Sequence, residues 1–285
     1  MKISTTLMML GLCSVCSLSH GATGVAFVHG TGKQTDALND YWTREFVDSV
    51  RQGISTPSNY QVINCDFEQY MWDEAAAGCL VDQLQSFINA RNLDQLILIT
   101  HSNGGNIVRW VLSNPTWDGR YPAVINSISR VIALAPSSAG TPLADAVTQG
   151  NVFETSLGWL LGYDSDAVKQ QQVGWMAQYN SQWLYGTAGR PSLGKPFEAV
   201  VGSDVESAVW DSDSYCGGYQ NQVGLETTQN WLDNCSDGFL ECSSQSAAGS
   251  VWFTDKQKTR DREPLSHHQS RRACFNLDTL LRNHI

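Results

Sequence analysis

Short apolar runs alternate along the chain with stretches in which apolar residues recur every three or four positions. Runs of this kind lie at residues 24–28, 96–99 and 131–135, and mixed segments with strand character lie at 60–65 and 197–201. Helical spacing is found at residues 42–50, 81–88, 104–112 and 274–281. Short runs bounded by turn residues predict buried strands. The stretches with helical spacing of apolar residues predict amphipathic helices. The alternation therefore predicts an α/β protein with a mostly parallel sheet and helices on both faces.

Two later stretches interrupt this alternation. Residues 145–195 are rich in aromatic and apolar side chains, above all at 157–163 and 175–185. This pattern predicts a helical insertion over the edge of the sheet. Residues 203–265 are rich in Ser, Asp and Gly, and we expect them to be mostly loop.

The first residues have the pattern of a secretory signal peptide. Lys2 supplies a positive charge, residues 3–18 are mostly apolar or small, and Ser19 and Gly21 suit cleavage after Gly21. The alternatives are an N-terminal strand or an anchor helix. We therefore expect a signal peptide at 1–21, a mature domain at 22–285, and a secreted or periplasmic location.

The composition predicts one globular domain with an acidic balance. Hydrophobic residues make up 42% of the 285 residues, which is enough for one sizeable core. Removal of residues 1–21 takes away one Lys and no acid, so the net charge changes from 18 − 28 = −10 to 17 − 28 = −11. Scattered acidic charge gives no reason to expect nucleic-acid binding. No later stretch is apolar for long enough to predict an integral membrane segment.

Six cysteines remain after residue 21, and an even number in an exported chain predicts disulfides. Cys65 and Cys79 are the expected local pair. The other four lie in the C-terminal third, and the sequence does not choose among their pairings. No Cys or His spacing suggests a zinc site.

Ser102 lies between the apolar run at 96–99 and the helical pattern at 104–112. A sharp turn from strand to helix requires small neighbours, and it lifts the Ser side chain above the carboxyl edge of the sheet. Gly104 supplies a small residue after Ser102, but Thr100 stands where such turns usually have Gly, so we expect a slightly opened turn. A Ser in this position can also be a plain helix cap. The position of Ser102 between a predicted strand and a predicted helix favours the nucleophile over the helix cap.

The turn His29-Gly30-Thr31 follows the first predicted strand. Acyl transfer needs N–H donors that point at the developing oxyanion. The backbone N–H groups of Thr31 and Asn103 are our candidates, and Asn103 also lies at a helix N-terminus, where negative charge is favoured. The alternative for 29–31 is an ordinary glycine turn. His29 itself is expected to be structural.

A Ser nucleophile needs a base, and the base needs an acid that orients it. Asp237, followed by Gly238, is the candidate acid in a loop after a strand; the alternative is a solvated Asp in an Asx turn. Asp204, which follows the run at 197–201, is the rival acid.

The candidate base is one of two adjacent histidines, His267 and His268. His29 and His101 precede the acid in the chain, whereas the order Ser, Asp, His is expected for a nucleophile on a strand-to-helix turn. His284 lies at the C-terminal end, where fraying works against precise positioning.

These residues resemble the bacterial lipase group of α/β-hydrolases, particularly the secreted Pseudomonas and Burkholderia type. The resemblance spans roughly residues 24–285 but is strong only in islands. The islands are the His-Gly turn at 29–30, the His-Ser-Asn-Gly-Gly turn at 101–105, the stretch at 139–145 and the acid loop at 236–244.

The resemblance implies an α/β-hydrolase fold with a lid at 145–195 and a triad of Ser102, Asp237 and a His near 267. In these lipases the base follows a small polar residue and precedes the last helix. His267 follows Ser266, so the resemblance favours His267 over His268.

Two departures from those lipases matter. They bind calcium through an Asp two residues beyond the catalytic His, and here that position is Gln269 or Ser270. We therefore expect no metal site and no cofactor. The interval from Asp237 to His267 is also longer than in those lipases, which implies an extra loop.

The expected function is hydrolysis of a carboxylic ester or lipid substrate by a lipase or esterase mechanism. An acyltransferase or a polyester depolymerase would use the same residues. A non-catalytic secreted binding protein on the same scaffold is the alternative from a different class. The apolar insertion indicates a hydrophobic acyl or alcohol group, and the alternative is that its apolar residues are ordinary core.

Overall fold

The computed structural model describes residues 21–149 and 165–285. The expected signal peptide, apart from Gly21, lies outside these residues. So does the part of the expected lid insertion at 150–164.

The described residues form a six-stranded sheet with the order β2-β1-β3-β4-β5-β6, and all neighbouring strands are parallel. The mostly parallel α/β architecture is therefore confirmed. The strands are β1 Ala22–Val28, β2 Tyr60–Val62, β3 Leu93–His101, β4 Ile128–Leu134, β5 Phe197–Val201 and β6 Ser250–Thr254.

Helices fill most of the connections between strands. The α-helices are α1 Ala37–Asp40, α2 Arg44–Val50, α3 Cys79–Arg91, α4 Gly104–Ser113, α5 Tyr121–Ser127, α6 Pro142–Thr148, α7 Asp166–Gln170, α8 Val173–Gln182, α9 Tyr219–Gln229, α10 Cys242–Gln245, α11 Asp255–Lys258 and α12 Leu277–His284. A π-helical turn spans Glu74–Gly78, and short 3₁₀ turns span Arg51–Gly53, Ser212–Tyr215, Arg260–Arg262 and Gln269–Arg271.

Side chains that alternate along the strands build a core on each face of the sheet. In β1, Val25 and Phe27 belong to the core beneath α2 and α12, whereas Ala26 and Val28 belong to the core beneath α3, α4 and α5. Successive residues of a strand point to opposite faces, so a central strand buried on both faces has a continuous apolar sequence. This explains why β1 and β3 were visible as apolar runs.

The prediction that residues 203–265 are mostly loop is wrong in two places. This region contains α9 and the edge strand β6, which pairs with β5. The buried residues of α9 are Gln222, Leu225 and Thr228. Two of these three are polar, so the helix lacks the apolar spacing on which the prediction depended.

The last helix begins later than predicted. Phe275 and Asn276 have positive φ values of 51° and 64°, which interrupts helical geometry before Leu277. His284 lies inside α12 rather than beyond it, and its Nε2 lies 2.9 Å from Glu198 Oε2. The histidine is thus held against β5, although fraying was expected there.

Three disulfides link the six cysteines of residues 21–285. Cys65 pairs with Cys79, which confirms the expected local pair. The other pairs are Cys216–Cys274 and Cys235–Cys242, with sequence separations of 58 and 7. Within residues 21–149 and 165–285, no helix has the length and apolarity needed to cross a membrane.

Candidate active site

Ser102 lies at the carboxyl edge of the sheet, in the turn between β3 and α4. Its φ is 53°, and its N–H donates to the carbonyl oxygen of Leu134 at 3.0 Å. A positive φ in a residue other than glycine costs about 1–3 kcal/mol and is maintained only where the surroundings enforce it. Here the hydrogen bond to β4 and the start of α4 hold the strained residue at the tip of the turn.

Two glycines allow the backbone to approach this turn closely. A Cβ on Gly104 would lie 2.2 Å from the carbonyl oxygen of His29, and a Cβ on Gly30 would lie 2.9 Å from Ser102 Cβ. No side chain fits at either position. The loop after β1 is consequently in contact with the Ser102 turn.

Thr100, the unusual residue before Ser102, is fully buried. Gly105 lies beside it: a Cβ on Gly105 would lie 3.4 Å from Thr100 Oγ1, an ordinary van der Waals distance, and 3.3 Å from Pro136 Cβ. Thr100 Oγ1 has no hydrogen-bond partner in the described chain.

Asp237 and His267 are joined by a direct hydrogen bond. His267 Nδ1 lies 2.7 Å from Asp237 Oδ2, and Asp237 is fully buried. The other carboxylate oxygen, Oδ1, accepts from the N–H groups of Phe239 and Leu240 at 2.9 and 2.6 Å. With its Nδ1–H donated to this fixed carboxylate, a neutral His267 presents Nε2 as its acceptor nitrogen.

The loop that carries Asp237 is short and crosslinked. The Cys235–Cys242 disulfide closes it, and Gly238 has a φ of 85°. The His267 N–H donates to the Asp237 carbonyl oxygen at 2.8 Å, so the two residues are connected through both backbone and side chain.

Ser102 and His267 line one cavity of about 400 Å³. Ser102 Oγ makes no hydrogen bond to His267 within the described residues, and hydrogen bonds of this kind are often completed only when substrate is bound. The His267 ring stacks on Phe239, with their centroids 4.7 Å apart. The other lining residues are Thr31, Gly32, Lys33, Gln34, Asp40, Tyr41, Glu68, His101, His268 and Arg271.

The rival candidates have other contacts. Asp204 accepts from Gln229 Nε2 at 2.9 Å and lies 3.3 Å from Lys256 Nζ, so it is part of a surface ion pair. His268 contacts Arg271, with 2.7 Å between its Nε2 and Arg271 Nη2. Burial and the Arg271 charge lower the pKa of His268 far below its ordinary value.

Thr31 and Asn103, the residues whose N–H groups are the candidate oxyanion donors, each have a side chain that is contacted by a glutamine of the insertion. Gln171 Nε2 donates to Thr31 Oγ1 at 3.0 Å, and Gln170 Nε2 donates to Asn103 Oδ1 at 3.4 Å. Both glutamines are fully buried. These contacts could not be predicted from the sequence, because glutamine on a helix is ordinarily a surface residue.

His101 connects the Ser102 turn to the backbone of His267. Its Nε2 lies 3.0 Å from both the His267 carbonyl oxygen and Ser270 Oγ, and its Nδ1 accepts a hydrogen bond from the Tyr41 hydroxyl. Ser270 Oγ also donates to the His267 carbonyl oxygen at 2.7 Å. Burial, followed by the charges of His267 and Arg271, lowers the pKa of His101, so its ring is neutral.

Asp255 is a second buried carboxylate that the sequence analysis missed. Its Oδ2 accepts from the N–H groups of Ser203 and Leu265 at 2.7 and 2.8 Å. It therefore ties the loop after β5 to the segment that leads into His267. An Asp in a polar loop region gives no sequence signal for this role.

No group of three or more His, Cys, Asp or Glu side chains in the described residues could hold a metal ion. Gln269, at the position where the resembling lipases have a calcium ligand, instead bonds internally. Its Oε1 accepts from Ser266 N–H at 3.0 Å and its Nε2 donates to the Asp213 carbonyl oxygen at 3.3 Å.

The chain matches no protein-family model and no curated protein. It does resemble solved structures of lipases. The mature form of the Bacillus licheniformis lipase BlEst2 aligns over 89% of this chain and 88% of its own length, with 18% identity and a TM-score of 0.62. The propeptide form of that lipase aligns over 88% of this chain and 47% of its own, with 18% identity and a TM-score of 0.59.

At this level of identity the likeness concerns the fold. The parallel sheet order, the strand-to-helix turn at Ser102 and the structural neighbours agree on one architecture. The chain has the α/β-hydrolase fold.

Proposed function

We propose that this protein is a secreted or periplasmic serine hydrolase that cleaves carboxylic esters. The observation that carries the proposal is the hydrogen bond between buried Asp237 and His267, a residue that lines the same cavity as Ser102. Ser102 is the nucleophile, His267 the base and Asp237 the acid that orients the base. The three disulfides support export, because such bonds persist in oxidising compartments.

The mechanism follows from these positions. His267 Nε2 takes the Ser102 proton as Oγ attacks the ester carbonyl. The N–H groups of Thr31 and Asn103 stabilise the oxyanion, and the start of α4 favours the negative charge. The imidazolium, stabilised by Asp237, then protonates the leaving alcohol. Water attacks the acyl-enzyme by the same steps and releases the acid.

The first experiment tests whether Ser102 is the reacting residue. The Ser102→Ala variant should lose hydrolysis of p-nitrophenyl butyrate and labelling by a fluorophosphonate probe, because Oγ forms the covalent bond. We expect a fall in rate of about 10³-fold or more. Ser86→Ala, at an exposed position of α3, is the matched control and should keep both.

Near-wild-type turnover in the Ser102→Ala variant would refute the proposal. A wild-type protein that neither reacts with the probe nor cleaves any ester would favour the binding-protein alternative. Addition of short alcohols to the same assay separates hydrolysis from acyl transfer, because transfer yields a new ester rather than free acid.

A further inference from the structure

The wall of the Ser102 cavity contains a buried guanidinium group. Arg271 lines the cavity and is only 6% exposed. It donates to the Tyr41 carbonyl oxygen, contacts His268 Nε2, and lies over the Tyr41 ring at 4.0 Å from the centroid. Its Nε has no hydrogen-bond partner in the described chain.

This charge has no carboxylate partner in the part of the chain that the structure describes. Among residues 21–149 and 165–285, no ion pair includes Arg271 or its neighbour Arg272. Arg272 donates to the same Tyr41 carbonyl oxygen at 2.8 Å. Burial lowers the pKa of Arg271, and it lowers the pKa of Arg272 to about 9. Two adjacent guanidinium groups therefore share neutral acceptors.

Buried charges in proteins are ordinarily paired, because desolvation is costly without a counter-charge. The Tyr41 ring compensates only in part. The carboxylates of the cavity do not supply the missing negative charge, because Asp40 is exposed and Glu68 is only half-buried. Lys33 is a further cation; it is exposed, and its Nζ lies 3.9 Å from Asp66 Oδ2. Water screens charges at such positions far more than it screens Arg271.

We propose that Arg271 binds an anionic group of the substrate, so that the preferred ester carries a singly charged carboxylate or phosphodiester beside the scissile bond. The planar guanidinium fork suits either oxyanion. Entry of such a group would replace the missing counter-ion. This inference rests on the proposed ester hydrolysis and specifies its substrate class.

The test compares the p-nitrophenyl monoester of glutaric acid with the isosteric monoester of glutaramic acid, whose terminal amide is neutral. Wild-type protein should have a kcat/KM ratio of at least about tenfold in favour of the carboxylate, the value expected for one charged hydrogen bond. Spontaneous hydrolysis is subtracted for both esters. Competition by acetate and by dimethyl phosphate at equal ionic strength distinguishes a carboxylate site from a phosphodiester site.

The Arg271→Gln variant should lose this preference, and Arg271→Lys, which keeps the charge without the fork, should retain part of it. Arg51→Gln is the matched control, because Arg51 also bonds a backbone carbonyl and lies over a tyrosine ring. Its ratio should equal that of the wild type. Because the kcat/KM ratio compares two esters on the same variant, a general loss of activity cancels from it.

Equal or better cleavage of the neutral ester by wild-type protein would overturn the anion site and leave the proposed hydrolase intact. If no ester is cleaved, calorimetry with monomethyl glutarate and the Ser102→Ala variant still tests the site. Binding that Arg271→Gln abolishes in this background would support the anion site alone, and no binding would refute it.

Discussion

At the residue scale, His267 and His268 are neighbours with different environments. His267 faces Asp237, whereas His268 contacts Arg271. We expect His267→Ala to lower kcat by about 10³-fold or more, because the proposed base, which Asp237 orients, is lost. His268→Ala should retain measurable turnover. Steady-state kinetics on one neutral ester decide between them, and the reverse order would move the base by one residue.

Tyr41 is expected to act on catalysis through His101. Its hydroxyl donates to His101 Nδ1 and so keeps the ring proton on Nε2. The Nε2–H group then donates to the His267 carbonyl oxygen. Tyr41→Phe should therefore lower kcat about tenfold, the cost of one lost hydrogen bond to a positioning group, with KM little changed. The His101 Nε2–H resonance should shift or broaden in nitrogen-15 NMR spectra.

A merely structural tyrosine would leave this resonance in place. Tyr60→Phe is the control, because Tyr60 lies in β2 away from the cavity. If Tyr41→Phe keeps both the wild-type kcat and the wild-type His101 signal, the tautomer of His101 does not depend on Tyr41.

The sequence predicted Ser102, Asp237 and a base at 267 or 268 because each stands beside a local pattern: a strand-to-helix turn, an Asp-Gly loop and a paired histidine. The lipase resemblance then favoured His267. Tyr41 and Arg271 lack such patterns. They are 230 residues apart in sequence and meet only in the folded chain. Their contact depends on where α1 and the segment before α12 pack, which no local spacing encodes.

At the scale of elements, the disulfides differ in what they hold. Cys235–Cys242 closes the loop of Asp237, whereas Cys216–Cys274 joins the segment before α9 to the residues before α12. In the chain-entropy model the first contributes about 2 kcal/mol to the free energy of unfolding and the second about 4 kcal/mol. Loss of the Cys235–Cys242 disulfide should therefore affect mainly catalysis, and loss of the Cys216–Cys274 disulfide should affect mainly stability.

We expect the Cys235→Ser/Cys242→Ser variant to lose more kcat and less thermal stability than the Cys216→Ser/Cys274→Ser variant. Melting temperatures and kcat at low temperature, where both variants are folded, measure the two effects. The Cys65→Ser/Cys79→Ser variant controls for the loss of any disulfide. Parallel losses of kcat and stability in all three would show that the short disulfide does not position Asp237.

Elements were predictable where one physical pattern dominated. β5 was found at its observed bounds because four of the five residues of Phe197–Val201 are apolar and buried inside the sheet. β6 was missed because an edge strand has a partner on one side only, and its first residues, Ser250 and Val251, are exposed. Burial on one face leaves too little apolar sequence to separate a strand from a loop.

At the scale of the whole molecule, several histidines are buried in neutral form. Burial lowers the pKa of His29 from 6.5 to about 4, and it lowers the pKa of His101 and His268 as well. Between pH 6.5 and 4 the unfolded chain binds protons that the folded chain does not. The free energy of unfolding should therefore fall as the pH falls through this range.

His29→Gln isolates one of these contributions. His29 Nδ1 lies 2.8 Å from the Gly30 carbonyl oxygen and its Nε2 accepts from the Cys65 N–H at 3.3 Å, and a glutamine amide can supply a donor and an acceptor without titrating. His29 should account for about 3 kcal/mol of the wild-type loss between pH 7 and 4. Urea unfolding across that range should give a shallower pH dependence for His29→Gln, because this variant lacks one buried proton-binding group. The same slope in both proteins would mean that His29 is protonated in the folded state, and that its contacts with Gly30 and Cys65 do not require a neutral ring.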